Sequence, residues 1–167
     1  MAVVREKEKI KTMKIFALAQ YEMIKEAREV LFDYCRTISP AHFVNENTSF
    51  GQGGSIRNLL LHNANCYAIW IGKRALGKDI SFAQKEDNNS MQDIERLFDL
   101  VNGYMQEFID NRLNETEIHF ERNGIPGAVM PFKLYTHVTT HEFHHKGQIL
   151  SLSRHLGYTP VDTDVVR

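Results

Sequence analysis

The chain has 167 residues and a mass of 19.3 kDa, 43% of them apolar and 25% charged. That suits about one domain of roughly 100–200 residues with a core of its own, and it excludes wholesale disorder. Lys plus Arg number 20 and Asp plus Glu 21, so the net charge is −1, which lacks the basic footprint of a phosphate-backbone binder.

Four long segments carry helical periodicity. In the first, about 10–38, Met13, Ala17, Gln20, Ile24, Ala27, Leu31 and Tyr34 recur three and four apart, as on one face of a helix. Ser39-Pro40 ends it, because the residue before proline is pushed out of the α region. A loop through Gly51, Gly53 and Gly54 leads to Ser55, a good N-cap for the second helix. Its stripe is Ile56, Leu59, His62, Cys66, Ile69 and Trp70, and Gly77 is its natural C-terminal stop. Ser90 with Asp93 reads as a capping box opening the third helix, whose stripe is Ile94, Leu97, Phe98, Val101, Met105 and Phe108 and which ends near Leu113.

From 117 to 130 the pattern changes. Ile118 and Phe120 alternate with polar residues, and Asn123-Gly124 signals a tight turn, so a short hairpin or an ordered loop is expected. Pro131 then suits the first turn of a fourth helix running to about Leu156, where Gly157 caps it and Pro160 blocks continuation. The expected fold is all-α, an up-down four-helix bundle with a long connection, a hairpin or an ordered loop, between helices 3 and 4. Residues 1–167 form one domain in this reading, with its core at about 10–158 and an unassigned tail at 159–167.

Histidine is the unusual component. There are eight, and four of them, His137, His141, His144 and His145, are packed into nine positions. At about 100° per residue, with His141 at 0°, His145 lies near 40°, Leu134 and Leu152 near 20°, and Val138 and Leu156 near 60°. His141 and His145 thus fall within the apolar stripe, His137 and His144 on its flank, and Gln148 near −20°. Two imidazoles four apart can grip one ion from the same side, and His62 on the inward stripe of the second helix can supply a third. Three such ligands leave a coordination position open, as in catalytic rather than structural sites. The plainer alternative is a set of hydrogen-bonded core histidines. His141-Glu142-Phe143-His144-His145 also matches the H-E-x-x-H peptidase signature, but only 22 residues follow and they contain no glutamate. Glu142 lies near 100°, where a solvated helix carboxylate is expected. Cys66, four after His62, reads as a small buried hydrophobe rather than a ligand. Gly147 within the fourth helix suggests the close approach of another helix, or tolerated drift.

The longest apolar run is the six residues 66–71, against roughly 20 for a membrane helix, so no membrane is expected as a partner. The N-terminal Arg5-Glu6-Lys7-Glu8-Lys9 has no apolar segment behind it, so no signal peptide is expected. Two cysteines make no disulfide framework, and a reducing cytoplasmic location is expected.

Residues 55–62, Ser-Ile-Arg-Asn-Leu-Leu-Leu-His, and residues 137–149, from His137 through His141, His145, Lys146, Gly147 and Gln148 to Ile149, resemble the DinB-like (DinB/YfiT) metalloenzyme family. That family carries an LLxH helix, an HxxxHxGQ helix and an RxxG end, matched here by Arg154 to Gly157, with Lys146 where arginine is common. The resemblance implies a four-helix bundle, usually a homodimer, binding one divalent metal through His62, His141 and His145. Zinc or nickel is expected foremost, with manganese or iron as further choices. Relatives include thiol-dependent transferases and isomerases that use a low-molecular-weight thiol as cosubstrate. The expected function is therefore metal-dependent transferase or hydrolase chemistry on a small molecule. His137, His144 and Gln148 are the candidate catalytic or pocket groups. The alternative is a non-catalytic helical dimer or small-ligand-binding module whose histidines are vestigial.

Overall fold

A computed structural model describes residues 2–48 and 54–167, with side chains from residue 11 onward. The chain is mostly helical, as expected, and among the described residues it has one small sheet of two strands. The glycine-rich approach at Gly51 and Gly53 lies outside the described residues.

Helix α1 spans Ala2–Arg36, starting earlier than its apolar stripe. Its buried face is Ala17, Tyr21, Ile24, Ala27, Arg28, Leu31 and Cys35, while Gln20, expected on the stripe, is exposed. After Ser39 the chain makes a single turn, α2 (Pro40–Phe43), that the sequence did not announce. The Ser39 hydroxyl accepts from the His42 amide at 3.3 Å, and proline occupies the first turn, where its missing N–H costs nothing.

Helix α3 (Ile56–Tyr67) begins as predicted, the Ser55 hydroxyl accepting the Asn58 amide at 3.0 Å. It continues as wider π-helical turns over Ala68–Ala75, closed by the Leu76 amide bonding the Ile71 carbonyl five residues back. Each residue then advances less around the axis, so the 3.6-residue stripe loses its phase beyond Tyr67. Gly77, at φ 70°, ends the segment in the left-handed region that glycine enters without a Cβ penalty.

Helix α4 (Met91–Asn111) opens on the predicted capping box: the Asp93 amide donates to Ser90 Oγ at 3.2 Å and the Ser90 amide donates to the Asp93 carboxylate at 3.0 Å. Strands β1 (Ile118–Arg122) and β2 (Ile125–Val129) pair antiparallel, with Ile118 opposite Val129 and Arg122 opposite Ile125. Asn123 and Gly124 make the two-residue turn at φ 54° and 76°, both positive as a type I′ turn requires. Helix α5 (Pro131–His155) ends in a Schellman motif: the Gly157 amide bonds the Arg154 carbonyl and the Tyr158 amide the Ser153 carbonyl, each at 3.0 Å. The Tyr158 hydroxyl then accepts the Ser39 amide at 3.0 Å and ties the C-terminal segment to α2.

Helix α1 contacts both α4 and α5, α3 contacts the same two helices from another side, and β1 packs on the π-helical segment. The shared core includes Leu31, Phe32, Ile56, Leu60, Ile94, Phe98, Val138 and Ile149. None of the described helices is long and apolar enough to cross a membrane.

Candidate metal centre

Two margins, one from α3 and one from α5, meet and bring three imidazoles together. The buried face of α3 is Ile56, Leu60, Asn63, Ala64 and Tyr67, which leaves His62 exposed beside it. The buried face of α5 is centred on Glu142 and Ile149, with Leu134, Tyr135, Val138 and Ser153 around them. His141 and His145 are half-buried at one edge of that face rather than within it. The site therefore lies at a lip between two helices, open on one side.

One ring nitrogen from each of His62, His141 and His145 lies within 4.8 Å of the other two. The Nε2 atoms of His62 and His141 are 3.0 Å apart. Two nitrogens at about 2.0–2.1 Å from a tetrahedral zinc stand about 3.3 Å from each other, so a shared ion needs only small side-chain adjustments. His145 is held by a neighbour on its own helix. Its Nδ1 is 2.6 Å from Oε1 of the Gln148 side chain, which makes Nδ1 the protonated nitrogen and leaves the Nε2 lone pair free. That Nε2 is shielded from solvent and has no hydrogen-bond partner. The amide nitrogen of Gln148 in turn sits 3.2 Å from His144 Nε2 and donates to it. The residues present fit a metal ion: a shielded nitrogen without a partner, in the ligating tautomer, faces two further imidazoles.

The electrostatics agree. Burial lowers His62, His137 and His145 below the ordinary imidazole value. His141 is pushed down to about 4, first by burial and then by the neighbouring imidazoles of His145 and His62. All four are neutral at pH 7, the form that ligates metals.

A sequence model of the DinB family matches residues 13–167. The chain belongs to the DinB family. No curated protein matches it significantly.

Within this DinB-family chain the remaining predicted residues divide. Gln148 and His144 join His145 in one hydrogen-bonded relay. Among the described residues the side chain of His137 makes ring contacts only, 5.7 Å from the His141 ring and 5.3 Å from Trp70. Cys66 is not among the converging ligand atoms, and burial pushes its thiol up to about 12, so it stays a neutral thiol. Among the described residues nothing beyond the local turns of α5 comes within 4 Å of a Cβ built on Gly147, so no described helix approaches closely there.

Glu142 corrects the sequence reading. It is not a solvated carboxylate but lies at the centre of the buried face of α5, 2% exposed. Arg28 from α1, equally buried, grips it with two bonds, Nε to Oε1 at 2.8 Å and Nη2 to Oε2 at 2.9 Å. The Tyr67 hydroxyl donates to Oε2 at 2.6 Å. Arg28 Nη1 donates to Asn102 of α4 at 2.8 Å. Burial alone would raise the Glu142 carboxyl, but Arg28 and Tyr67 hold it below its ordinary value. A carboxylate with both oxygens engaged this way cannot act as the general base of a peptidase, so the H-E-x-x-H match is a coincidence of spacing. Arg28 was legible in principle: it falls between Tyr21, Ile24 and Leu31 on the stripe of α1, where an arginine demands a partner.

Lys146 is also buried, its Nζ without a hydrogen-bond partner and 4.0 Å over the Phe143 ring. Burial pulls this amine down to about 8, against the opposing pull of Glu142.

Proposed function

We propose that this protein is a metal-dependent enzyme in which His62, His141 and His145 hold one divalent ion, zinc or nickel foremost, with manganese or iron as alternatives. The observation that carries the reading is the shielded, partnerless Nε2 of His145 facing the nitrogens of His62 and His141. Bound there, a divalent ion supplies Lewis acidity that activates a small thiol or a water molecule as nucleophile. The chain's own residues do the rest. Gln148 fixes the tautomer of His145, His144 braces Gln148, and the exposed side of the site admits a small-molecule substrate. A low-molecular-weight thiol cosubstrate makes the reaction a transfer, and water makes it a hydrolysis. The four long helices are read as an up-down bundle in one domain, in keeping with the contacts of α1 and α3 to both α4 and α5. A homodimer in the cytoplasm completes the proposal.

The test is elemental analysis of protein purified without an affinity tag. About one equivalent of divalent metal is expected, removed by a chelator with a fall in melting temperature and restored by re-addition. His141→Ala should lose both the metal and the shift. Undiminished uptake in that variant refutes the ligand assignment.

The 3.0 Å pairing of His62 with His141 also suits a plain hydrogen bond in a non-catalytic module. On that reading leucine at positions 62, 141 and 145 leaves the melting temperature unchanged or higher, with and without metal.

A further inference from the structure

A cleft of about 600 Å³ lies between the π-helical segment, the hairpin and the chain near Phe82. Its walls carry three cations, Lys73, Arg74 and Arg122, with Phe82, Phe120 and Glu121. Lys73 donates to the Ile80 carbonyl at 3.3 Å. Arg74 stacks over Trp70, its Cζ 4.0 Å from the ring centroid and 5.4 Å from that of Phe120. Among the described residues neither Arg74 nor Arg122 has a carboxylate partner, and Glu121 pairs with neither. Stacking uses the faces of a guanidinium and leaves its in-plane N–H donors, a fork that matches carboxylate or phosphate, without protein acceptors. Arg74 is half-buried and feels the positive charge of the exposed Arg122, a repulsion that an anion seated between them would relieve.

Trp70 belongs to both places. Its ring packs edge-on against Phe120 at 5.6 Å and against His137 at 5.3 Å, and His137 stands 5.7 Å from His141. The cleft and the metal centre are thus linked through two rings, Trp70 and then His137. Three cations on a chain of net charge −1 do not make a track for a nucleic acid.

We propose that this cleft binds the carboxylate or phosphate group of a small substrate with an aromatic or otherwise apolar body, Arg74 and Arg122 holding the anion while the substrate's other end reaches the histidines past Trp70. The substrate role rests on the metal-centre reading above; the anion site itself does not.

Trp70 is the only tryptophan, so its emission reports on the cleft. The full-length protein, stripped of metal by a chelator and dialysed, is titrated at constant ionic strength with benzoate, phenyl phosphate and neutral benzamide. A saturable change in emission is expected with one or both anions in the millimolar range, about what a fragment of this size achieves, and none with benzamide. The two anions distinguish a carboxylate from a phosphate as the natural group. By calorimetry, Arg74→Gln and Arg122→Gln should each weaken the anion at least tenfold, and His141→Ala should leave it unchanged. Arg122 is exposed at the hairpin end, so its variant remains informative if Arg74→Gln fails to fold. Equal binding of benzamide and benzoate, or full affinity in both arginine variants, overturns the proposal. A wild-type protein that binds the anions but takes up no metal keeps the anion site and loses only the metal reading.

Discussion

At the residue scale the telling side chain is Glu142. Its neighbour in sequence, His141, belongs to the open site, yet Glu142 turns inward to meet Arg28 at 2.8 and 2.9 Å. Removing one member of a buried ion pair strands the other charge and typically costs about 3–5 kcal/mol, whereas replacing both with apolar groups costs much less. Glu142→Gln should therefore lower the melting temperature by roughly 6–20 °C, at roughly 2–4 °C per kcal/mol for a chain of this size. The double variant Arg28→Met, Glu142→Leu should recover much of that loss. A Glu142→Gln protein as stable as the wild type would return the carboxylate to the surface role that helical periodicity assigned it.

At the element scale the helix ends follow local chemistry, and two of them yield predictions. Asp93 is half-buried at the start of α4, and its carboxyl is held down to about 2 by the Ser90 hydroxyl and then by Arg96. The folded state thus prefers the carboxylate more strongly than the unfolded chain, whose value is 3.8. The stabilisation is complete above pH 3.8 and is lost as pH falls through about 2. Denaturant midpoints of wild type and Asp93→Asn should differ by a constant amount at neutral pH and converge on acidification; a gap that widens toward low pH would reverse the sign. In α5, Gly147 faces open space with no contact to preserve. Gly147→Ala should stabilise by about 0.8–1 kcal/mol through helix propensity, raising the melting temperature by roughly 2–4 °C. A decrease would mean that some close approach had been missed.

At the scale of the whole molecule, one ionic network couples the long helices: Arg28 of α1, Tyr67 of α3, Asn102 of α4 and Glu142 of α5 are joined by hydrogen bonds. Rotating α5 about its axis would break that network, and the same rotation would carry His141 and His145 away from His62. The outer face of α1 is different. Ile15, Phe16 and Met23 are exposed there with Phe132 of α5, around an apolar cavity of about 760 Å³ lined by Met13, Phe16, Met23 and Phe132. Surfaces of this kind mark association sites. The proposed homodimer would cover it, so Phe16→Asp should convert a dimer to a monomer in analytical ultracentrifugation. A wild-type chain that sediments as a monomer at high micromolar concentration would remove the dimer from the proposal.

Much of this was legible along the chain because it depends on neighbours within a few residues. The Ser55 and Ser90 caps, the Asn123-Gly124 turn, Pro131 at the start of α5 and Gly157 at its end are short-range hydrogen bonds and dihedral preferences. The i, i+4 spacing of His141 and His145 is likewise a property of one helix. Which way each face turned was not local. Leu134, Val138, Leu152 and Leu156 pulled the inferred centre of α5 toward the histidines, while the folded chain buries the side bearing Glu142. The partner that makes that burial tolerable, Arg28, lies 114 residues away. Nor did the stripe of α3 foretell the π-helical turns beyond Tyr67, which set Trp70 and Arg74 against the hairpin. Local chemistry along the chain placed most caps and the hairpin turn and offered the residues that could ligate, though not the start of α1, the α2 turn or the π-helical turns. Only the tertiary structure decided that the three imidazoles meet at an open lip, because that meeting is fixed by a buried charge pair between distant helices.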